Sequence, residues 1–208
     1  MNKHLVSSQW LFENLNNPNL IMLDASQKSV TSNTTNSNQN IRIKGARYFD
    51  LKNKFSDKRA ELPNTLPNAT QFESECQNLG INQDSLIVIY DNLGIYSSPR
   101  AWWMLKSMGH KNVAVLNGGL PDWIILGYET EKIEEQVYPK GNFKAKFDTT
   151  SVKDYNYIKA NTQASVVIDA RSEGRFNGTA PEPRAGLRSG NIPNSLNIPF
   201  GNVLENGK

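Results

Sequence analysis

Apolar runs of strand length alternate with amphipathic stretches along this chain, and turn-forming clusters separate them. Ser7 or Ser8 stands where a helix cap belongs, ahead of Trp10, Leu11 and Leu15 at helical spacing. Leu20-Ile21-Met22-Leu23 reads as a short buried strand running into Asp24-Ala25-Ser26. From Lys28 to Asn40 the residues are almost wholly Ser, Thr, Asn and Gln, too polar to pack, which predicts a mobile surface loop. Tyr48-Phe49 resumes a short strand, and Pro63 to Pro67 is a loop. Ala69 to Leu79 is a predicted helix with Phe72, Cys76 and Leu79 on one face and Gly80 as its stop. Leu86 to Tyr90 is a continuous apolar run, the pattern of a parallel strand covered on both faces. Ser98-Pro99 opens a helix through Trp102, Trp103 and Leu105 that stops at Gly109. Val113 to Leu116 is another strand, Asn117-Gly118-Gly119 a turn, and Pro121 to Leu126 a short helix. This alternation predicts an α/β fold, a parallel sheet flanked by helices on both faces.

The pattern then recurs. Val166-Val167-Ile168-Asp169-Ala170-Arg171-Ser172 matches the strand that ends in Asp24-Ala25-Ser26. Ile192-Pro193-Asn194-Ser195, followed by Leu196-Asn197-Ile198-Pro199-Phe200, matches Ile43-Lys44-Gly45-Ala46 with Tyr48-Phe49. An offset of about 145 residues is the size of a domain, so the repeat reads as a duplicated domain. Between the copies, Lys132 to Asp148 has no period and contains Pro139 and Gly141, which reads as a linker. The predicted organisation is a first domain at residues 1–131, a linker at 132–149 and the opening of a second domain at 150–208. Val152 to Ala160 is that domain's first helix, Val166 begins its strand, and Gly174 to Gly190 is a loop. Only Gly201 to Lys208 follows Phe200, so the second copy is expected to be incomplete, lacking the counterpart of everything from Pro67 onward.

Composition narrows the function classes. With 38% hydrophobic residues the chain can bury an ordinary core. The net charge of +3, from 23 basic and 20 acidic residues, is spread without a Lys/Arg run, which argues against nucleic acid and membrane surfaces as partners. Cys76 is the one cysteine, so an intrachain disulfide and a multi-cysteine metal site are excluded, and a reducing compartment fits. Met1-Asn2-Lys3-His4 leads into an amphipathic stretch, and no run approaches the roughly 18 apolar residues of a membrane span. The expected location is the cytoplasm. At helical spacing with Phe72 and Leu79, Cys76 reads as a core residue. His110 follows the helix stop at Gly109, where a cation suits the helix end, and neither it nor His4 has a metal-ligand neighbour. Gly118-Gly119 lacks the spacing of a dinucleotide fingerprint.

The loop Asp91-Asn92-Leu93-Gly94-Ile95-Tyr96-Ser97-Ser98 joins the central apolar strand to the helix opened by Pro99. In open α/β sheets ligands bind beyond the carboxyl ends of the strands, and such a loop aims backbone N–H groups and a positive helix end at its contents. A nucleophile belongs here, yet the strand ends in Asp91. A carboxylate facing a helix N-terminus is stable there and repels an anionic substrate, so the ordinary reading of Asp91 is a charge that stabilises its loop.

Asp91 to Gly94, Tyr96-Ser97-Ser98-Pro99-Arg100-Ala101-Trp102-Trp103-Met104, Gly109-His110 and Val115-Leu116-Asn117-Gly118-Gly119-Leu120 together resemble the first domain of the tandem rhodanese-type sulfurtransferases. Asp169-Ala170-Arg171, Gly174-Arg175-Phe176, Gly178-Thr179 and Glu182-Pro183-Arg184 resemble the opening of the catalytic second domain in the 3-mercaptopyruvate branch. The resemblance spans essentially the whole chain. It implies a first domain that is catalytically inert, with Asp91 at the place of the second domain's cysteine. It also implies sulfur transfer from 3-mercaptopyruvate or thiosulfate through a cysteine persulfide to cyanide or another thiol, with no cofactor and no metal. The nucleophile would lie one repeat length beyond Asp91, past Lys208, so no catalytic residue is expected here and the chain alone is expected to be inactive. Arg175 and Arg184 match the arginines for the substrate's carboxylate and keto group, and Tyr96 an aromatic of the cleft between the domains. The small-molecule donor and acceptor are the implied partners, with the missing C-terminal segment or a second chain as a further one.

The family's His-Ile-Pro-Gly-Ala signature stands here as Arg42-Ile43-Lys44-Gly45-Ala46 and Asn191-Ile192-Pro193-Asn194-Ser195. Where some mercaptopyruvate enzymes carry an aspartate and a histidine that assist proton transfer, the nearest positions are Lys52 and Ala60. Two other readings stand beside the enzyme: a non-catalytic rhodanese-like binding or scaffold module, and a phosphatase of the same fold, against which Glu182-Pro183-Arg184 argues.

Overall fold

The structure, a computed structural model, describes residues 4–27, 40–184, 186–206 and 208, so the predicted polar loop from Lys28 lies outside the described residues except for Asn40. Described residues up to Thr149 belong to one compact unit, and residues 150–206 belong to a second.

In chain order the first unit contains β1 (Leu5–Val6), α1 (Ser8–Glu13), β2 (Leu20–Asp24), β3 (Ile41–Ile43), β4 (Arg47–Tyr48), α2 (Ala69–Asn78), β5 (Leu86–Tyr90), α3 (Ser98–Ser107), β6 (Val113–Leu116), α4 (Gly119–Ile125) and β7 (Thr130–Lys132). Five strands form a parallel sheet in the order β1-β6-β5-β2-β4. β3 and β7 pair antiparallel beside it. Alternation along β5 divides the core. Ile87 and Ile89 pack with Phe72, Cys76, Met104 and Leu105 of α2 and α3, whereas Val88 and Tyr90 pack with Leu11, Leu120 and Trp123 of α1 and α4. An apolar run covered on both faces is what the sequence predicts for this strand.

Several boundaries differ from expectation for local reasons. α1 ends at Glu13, because the Asn14 side chain donates to Trp10 O at 2.8 Å and closes the helix before Leu15. β4 is Arg47–Tyr48, and Phe49 turns into the core after its N–H donates to Asp24 O at 2.8 Å. Residues 132–149, which carry no period, run along the first unit. Phe143 is fully buried edge-on to Phe72 and to His110, and its N–H donates to Ile81 O at 3.0 Å. One buried aromatic among polar neighbours leaves no periodic signal. His110, expected to be a cation at a helix end, is instead 1% exposed, and burial lowers its pKa to about 4.

The second unit contains α5 (Tyr155–Asn161), β8 (Ile168–Asp169), α6 (Glu173–Phe176) and β9 (Leu196–Asn197). α5 begins at Tyr155 and not at Val152, because the Asp154 carboxylate accepts from Tyr157 N at 2.7 Å and caps it. α6 occupies the start of the predicted loop Gly174 to Gly190. The strand registers of the two units correspond. β2 pairs with β4 through Asp24 and Tyr48, and β8 pairs with β9 through Asp169 and Asn197. Next in line, Phe49 N donates to Asp24 O and Ile198 N to Asp169 O. β2 also carries β5 on its other edge, whereas β8 pairs with β9 alone among the described residues, and Val166, Ile168, Leu196, Ile198 and Phe200 are exposed. Among the described residues no helix is long and apolar enough to cross a membrane.

His110 makes the stability pH-dependent. A base held neutral in the fold takes its proton only in the unfolded chain between pH 6.5 and about 4, so stability is full above pH 6.5 and is lost as pH falls. The loss attributable to this group is about 3 kcal/mol. Urea titrations at pH 7 and pH 4 should show a smaller difference for His110→Gln than for the parent; equal differences would contradict this.

Candidate functional site

The carboxyl ends of β2 and β5 lie side by side, with Asp24 registered against Tyr90. The loop leaving β5 begins at Asp91, whose side chain is wholly buried. Its Oδ2 accepts from Tyr96 N at 2.8 Å, Ser97 N at 3.0 Å, Ser98 N at 2.9 Å and Ser98 Oγ at 2.6 Å, and its Oδ1 accepts from Leu93 N at 3.0 Å. A carboxylate out of water needs such donors, and the positive end of α3 adds to them. Asp91 therefore caps α3 from the strand end. This is why Ser98, expected as the cap, instead belongs to the helix, and why Ser97, at the cap position, makes no side-chain cap bond. Ser97 Oγ donates to Ala25 O at 2.8 Å, tying the loop to the end of β2.

The turn after β6 presses on the same loop. Leu120 N donates to Asp91 O at 3.0 Å, and a Cβ on Gly119, which holds φ +55°, would lie 2.5 Å from Asp91 O and Gly94 O. Only glycine fits there. Beside the loop, burial raises the Asp24 carboxyl above its usual value, with Asp91 adding to the rise and hydrogen bonds from Ser26 opposing it. Burial also pushes the Tyr90 phenol up, and its oxygen accepts from Ile43 N at 3.0 Å. Arg42 is a structural cation, donating from Nε to Glu131 Oε1 at 2.7 Å and from Nη1 to Glu134 O at 3.2 Å. The loop thus holds one negative charge at a fixed, dry point, and Asp91 supplies that charge itself. Cys76 offers no alternative nucleophile: it is buried in α2, and burial pushes its thiol well up, away from the reactive thiolate.

In the second unit the ends of β8 and β9 support a charged cluster. Asp169 accepts from Arg171 Nε on both carboxylate oxygens, at 3.0 and 2.9 Å, and from Arg171 Nη2. Arg171 Nη2 also donates to Gly190 O at 2.6 Å, and its Nη1 donates to Glu182 Oε1 at 2.7 Å. Glu182 Oε2 accepts from Arg175 Nε at 3.0 Å and Nη2 at 2.5 Å. The Arg171 guanidinium holds the Asp169 carboxyl below its usual range, and Arg175, followed by Arg171, does the same for Glu182.

Tyr96 is half-buried in the Asp91 loop of the first unit; Arg175 and Arg184 belong to the second. Arg175 is anchored by Glu182, while Arg184, two residues on, is exposed and makes no hydrogen bond or ion pair among the described residues. Sequence reasoning missed Glu182 as the shared partner of Arg171 and Arg175, although all three lie in the motifs that carry the resemblance. Their alternation of charge was the available signal, but pairing them required the fold of the loop.

A family model described as the rhodanese-like domain matches residues 7–125. The chain is 38% identical to thiosulfate/3-mercaptopyruvate sulfurtransferase 1 of Arabidopsis thaliana, over 97% of this chain and 59% of the plant protein. It is 35% identical to 3-mercaptopyruvate sulfurtransferase of Escherichia coli strain K12, over 98% of this chain and 73% of that protein. The crystal structure of SseA from Escherichia coli, described as a 3-mercaptopyruvate sulfotransferase with the rhodanese fold, superposes with a TM-score of 0.87. That match has 31% identity and covers 100% of this chain and 79% of that one. The chain thus spans less than two thirds of the length of the plant relative.

Removing the Asp91 carboxylate leaves its donors facing no acceptor. Asp91→Ala should lower stability by about 3 kcal/mol, and Asp91→Asn, which keeps one oxygen, by less. Tryptophan fluorescence during urea unfolding measures both, and an unchanged midpoint for the alanine variant would contradict the role.

Proposed function

This chain belongs to the rhodanese-like sulfurtransferase family, and from that premise we propose that it is the inert first domain and the substrate-recognising opening of the second domain of a sulfane-sulfur transferase. The donor is 3-mercaptopyruvate or thiosulfate, and the acceptor is cyanide or a thiol. The observation that carries the reading is the match to mercaptopyruvate sulfurtransferases along nearly the whole chain, first and second units together.

The chemistry needs a cysteine thiolate, which attacks the donor's transferable sulfur; with thiosulfate the sulfur–sulfur bond breaks and sulfite leaves. With mercaptopyruvate the carbon–sulfur bond breaks, pyruvate leaves as its enolate and takes up a proton, and the sulfur stays as a persulfide. Attack by the acceptor on the outer sulfur restores the thiolate. Arg175 and Arg184 bind the donor's carboxylate and keto oxygen, where guanidinium groups hold the ground-state charge and the charge that grows on the enolate. Asp91 keeps the first domain out of the reaction, and buried Cys76 cannot replace the nucleophile. The low cysteine usage supports a cytoplasmic setting.

Incubated with either donor and with cyanide, the 208-residue chain should yield no thiocyanate above blank. Fused to the downstream catalytic segment of the Escherichia coli relative it should turn over mercaptopyruvate, and Arg175→Gln in that fusion should lower kcat/KM about 100-fold. Turnover by the isolated chain, or an unaffected Arg175→Gln fusion, would contradict the proposal.

A further inference from the structure

Glu182 is the most enclosed member of the cluster in the second unit. Its side chain is 3% exposed, against 25% for Arg175 and 28% for Arg171. Both of its oxygens are committed, Oε1 to Arg171 and Oε2 to Arg175. Arg171 is itself fixed by Asp169 and Gly190 O, and the Asn197 side chain on β9 donates to Asp169 O and Arg171 O at 2.9 Å each. A continuous set of hydrogen bonds therefore runs from the β8–β9 pair through Arg171 and Glu182 to the Arg175 guanidinium.

Which edge of Arg175 is held matters. A guanidinium offers a side edge, Nε with Nη2, and an end edge, Nη1 with Nη2, and either can meet a carboxylate with two parallel N–H groups. Glu182 takes the side edge. Among the described residues no partner meets the end edge, which leaves it open to a ligand while Glu182 holds the other side. Two carboxylates and two guanidiniums also cancel, so the cluster adds no net charge, and the long-range attraction for an anion needs a further cation, for which exposed Arg184, two residues past Glu182, is the candidate.

Resting on the sulfurtransferase reading above, we propose that Glu182 is a positioning residue that fixes the Arg175 end edge for the carboxylate of a 2-oxo acid donor, while unpaired Arg184 supplies the attraction. Positioning and simple electrostatics give opposite signs for one substitution. Glu182→Gln removes a negative charge beside Arg175, so electrostatics alone tightens the binding of an anion. If position matters more, the same change frees the guanidinium and weakens binding.

The test uses the 208-residue chain and pyruvate, which has the same carboxylate and keto group as mercaptopyruvate. Arginine Nε–H resonances are followed by NMR, with the Arg175 signal assigned by its loss in Arg175→Lys. The parent should show an exchange-protected Arg175 Nε–H that moves on titration with pyruvate. In Glu182→Gln that protection should be lost and the pyruvate Kd should rise about tenfold, while the backbone signals of β8 and β9 stay in place. Arg184→Gln should also raise the Kd but leave the Arg175 Nε–H signal where it was. Unchanged or tighter pyruvate binding in Glu182→Gln would overturn the positioning role alone. Absence of any pyruvate response in the parent would overturn the substrate reading and with it the purpose assigned to Glu182.

Discussion

The Asp91 carboxylate holds together the carboxyl end of the first sheet. It closes the loop between β5 and α3 by accepting from the backbone of Leu93, Tyr96, Ser97 and Ser98 and from the Ser98 hydroxyl. The loop so formed bonds to β2 through Ser97 and Ala25, and to the start of α4 through Leu120 and the close approach at Gly119. A charge in so dry a place is stable only while every donor stays aligned, so the network is rigid. It also fills the point beyond the strand ends where an α/β sheet ordinarily receives a ligand. The first unit is built like a site and closed by its own side chain.

The second unit repeats the framework with different contents. In both copies the strand-end aspartate accepts from the backbone N–H two residues on, Ser26 N to Asp24 and Arg171 N to Asp169, each at 2.9 Å. The side chain at that second position then decides what the turn presents. In the first copy it is serine, whose hydroxyl bonds back to Asp24 and leaves the carboxylate buried and self-contained. In the second it is arginine, which reaches past Asp169 to Glu182 and so connects the turn to Arg175. The residue at this position thus separates a self-contained carboxylate from one tied into a network with Glu182 and Arg175.

Most of the first unit was legible because its elements carry strong periods. The Leu86 to Tyr90 run, the Phe72-Cys76 face of α2 and the glycine stops each gave a signal independent of the rest. Asp91 was legible as a stabilising charge, since its place between a strand and a helix implies the donors it meets. Capping of α3 was read one step wrong, as Ser98 is a common cap residue and nothing local shows that a carboxylate at the strand end takes the task. Phe143 and His110 were illegible for a related reason: they bury each other across a long sequence separation. The arginines of the second unit could be named from their motifs, whereas the pairing of Arg175 with Glu182 depends on how the irregular stretch after α6 folds back.

If the loop after β5 is a cradle for a buried negative charge, a thiol placed at its head should be strongly acidified. The measurement is the pH dependence of alkylation of Asp91→Cys, with fully buried Cys76 as the slow internal reference. A thiol pKa well below the ordinary value of about 8.5 is the expected result. A value at or above it would contradict the cradle.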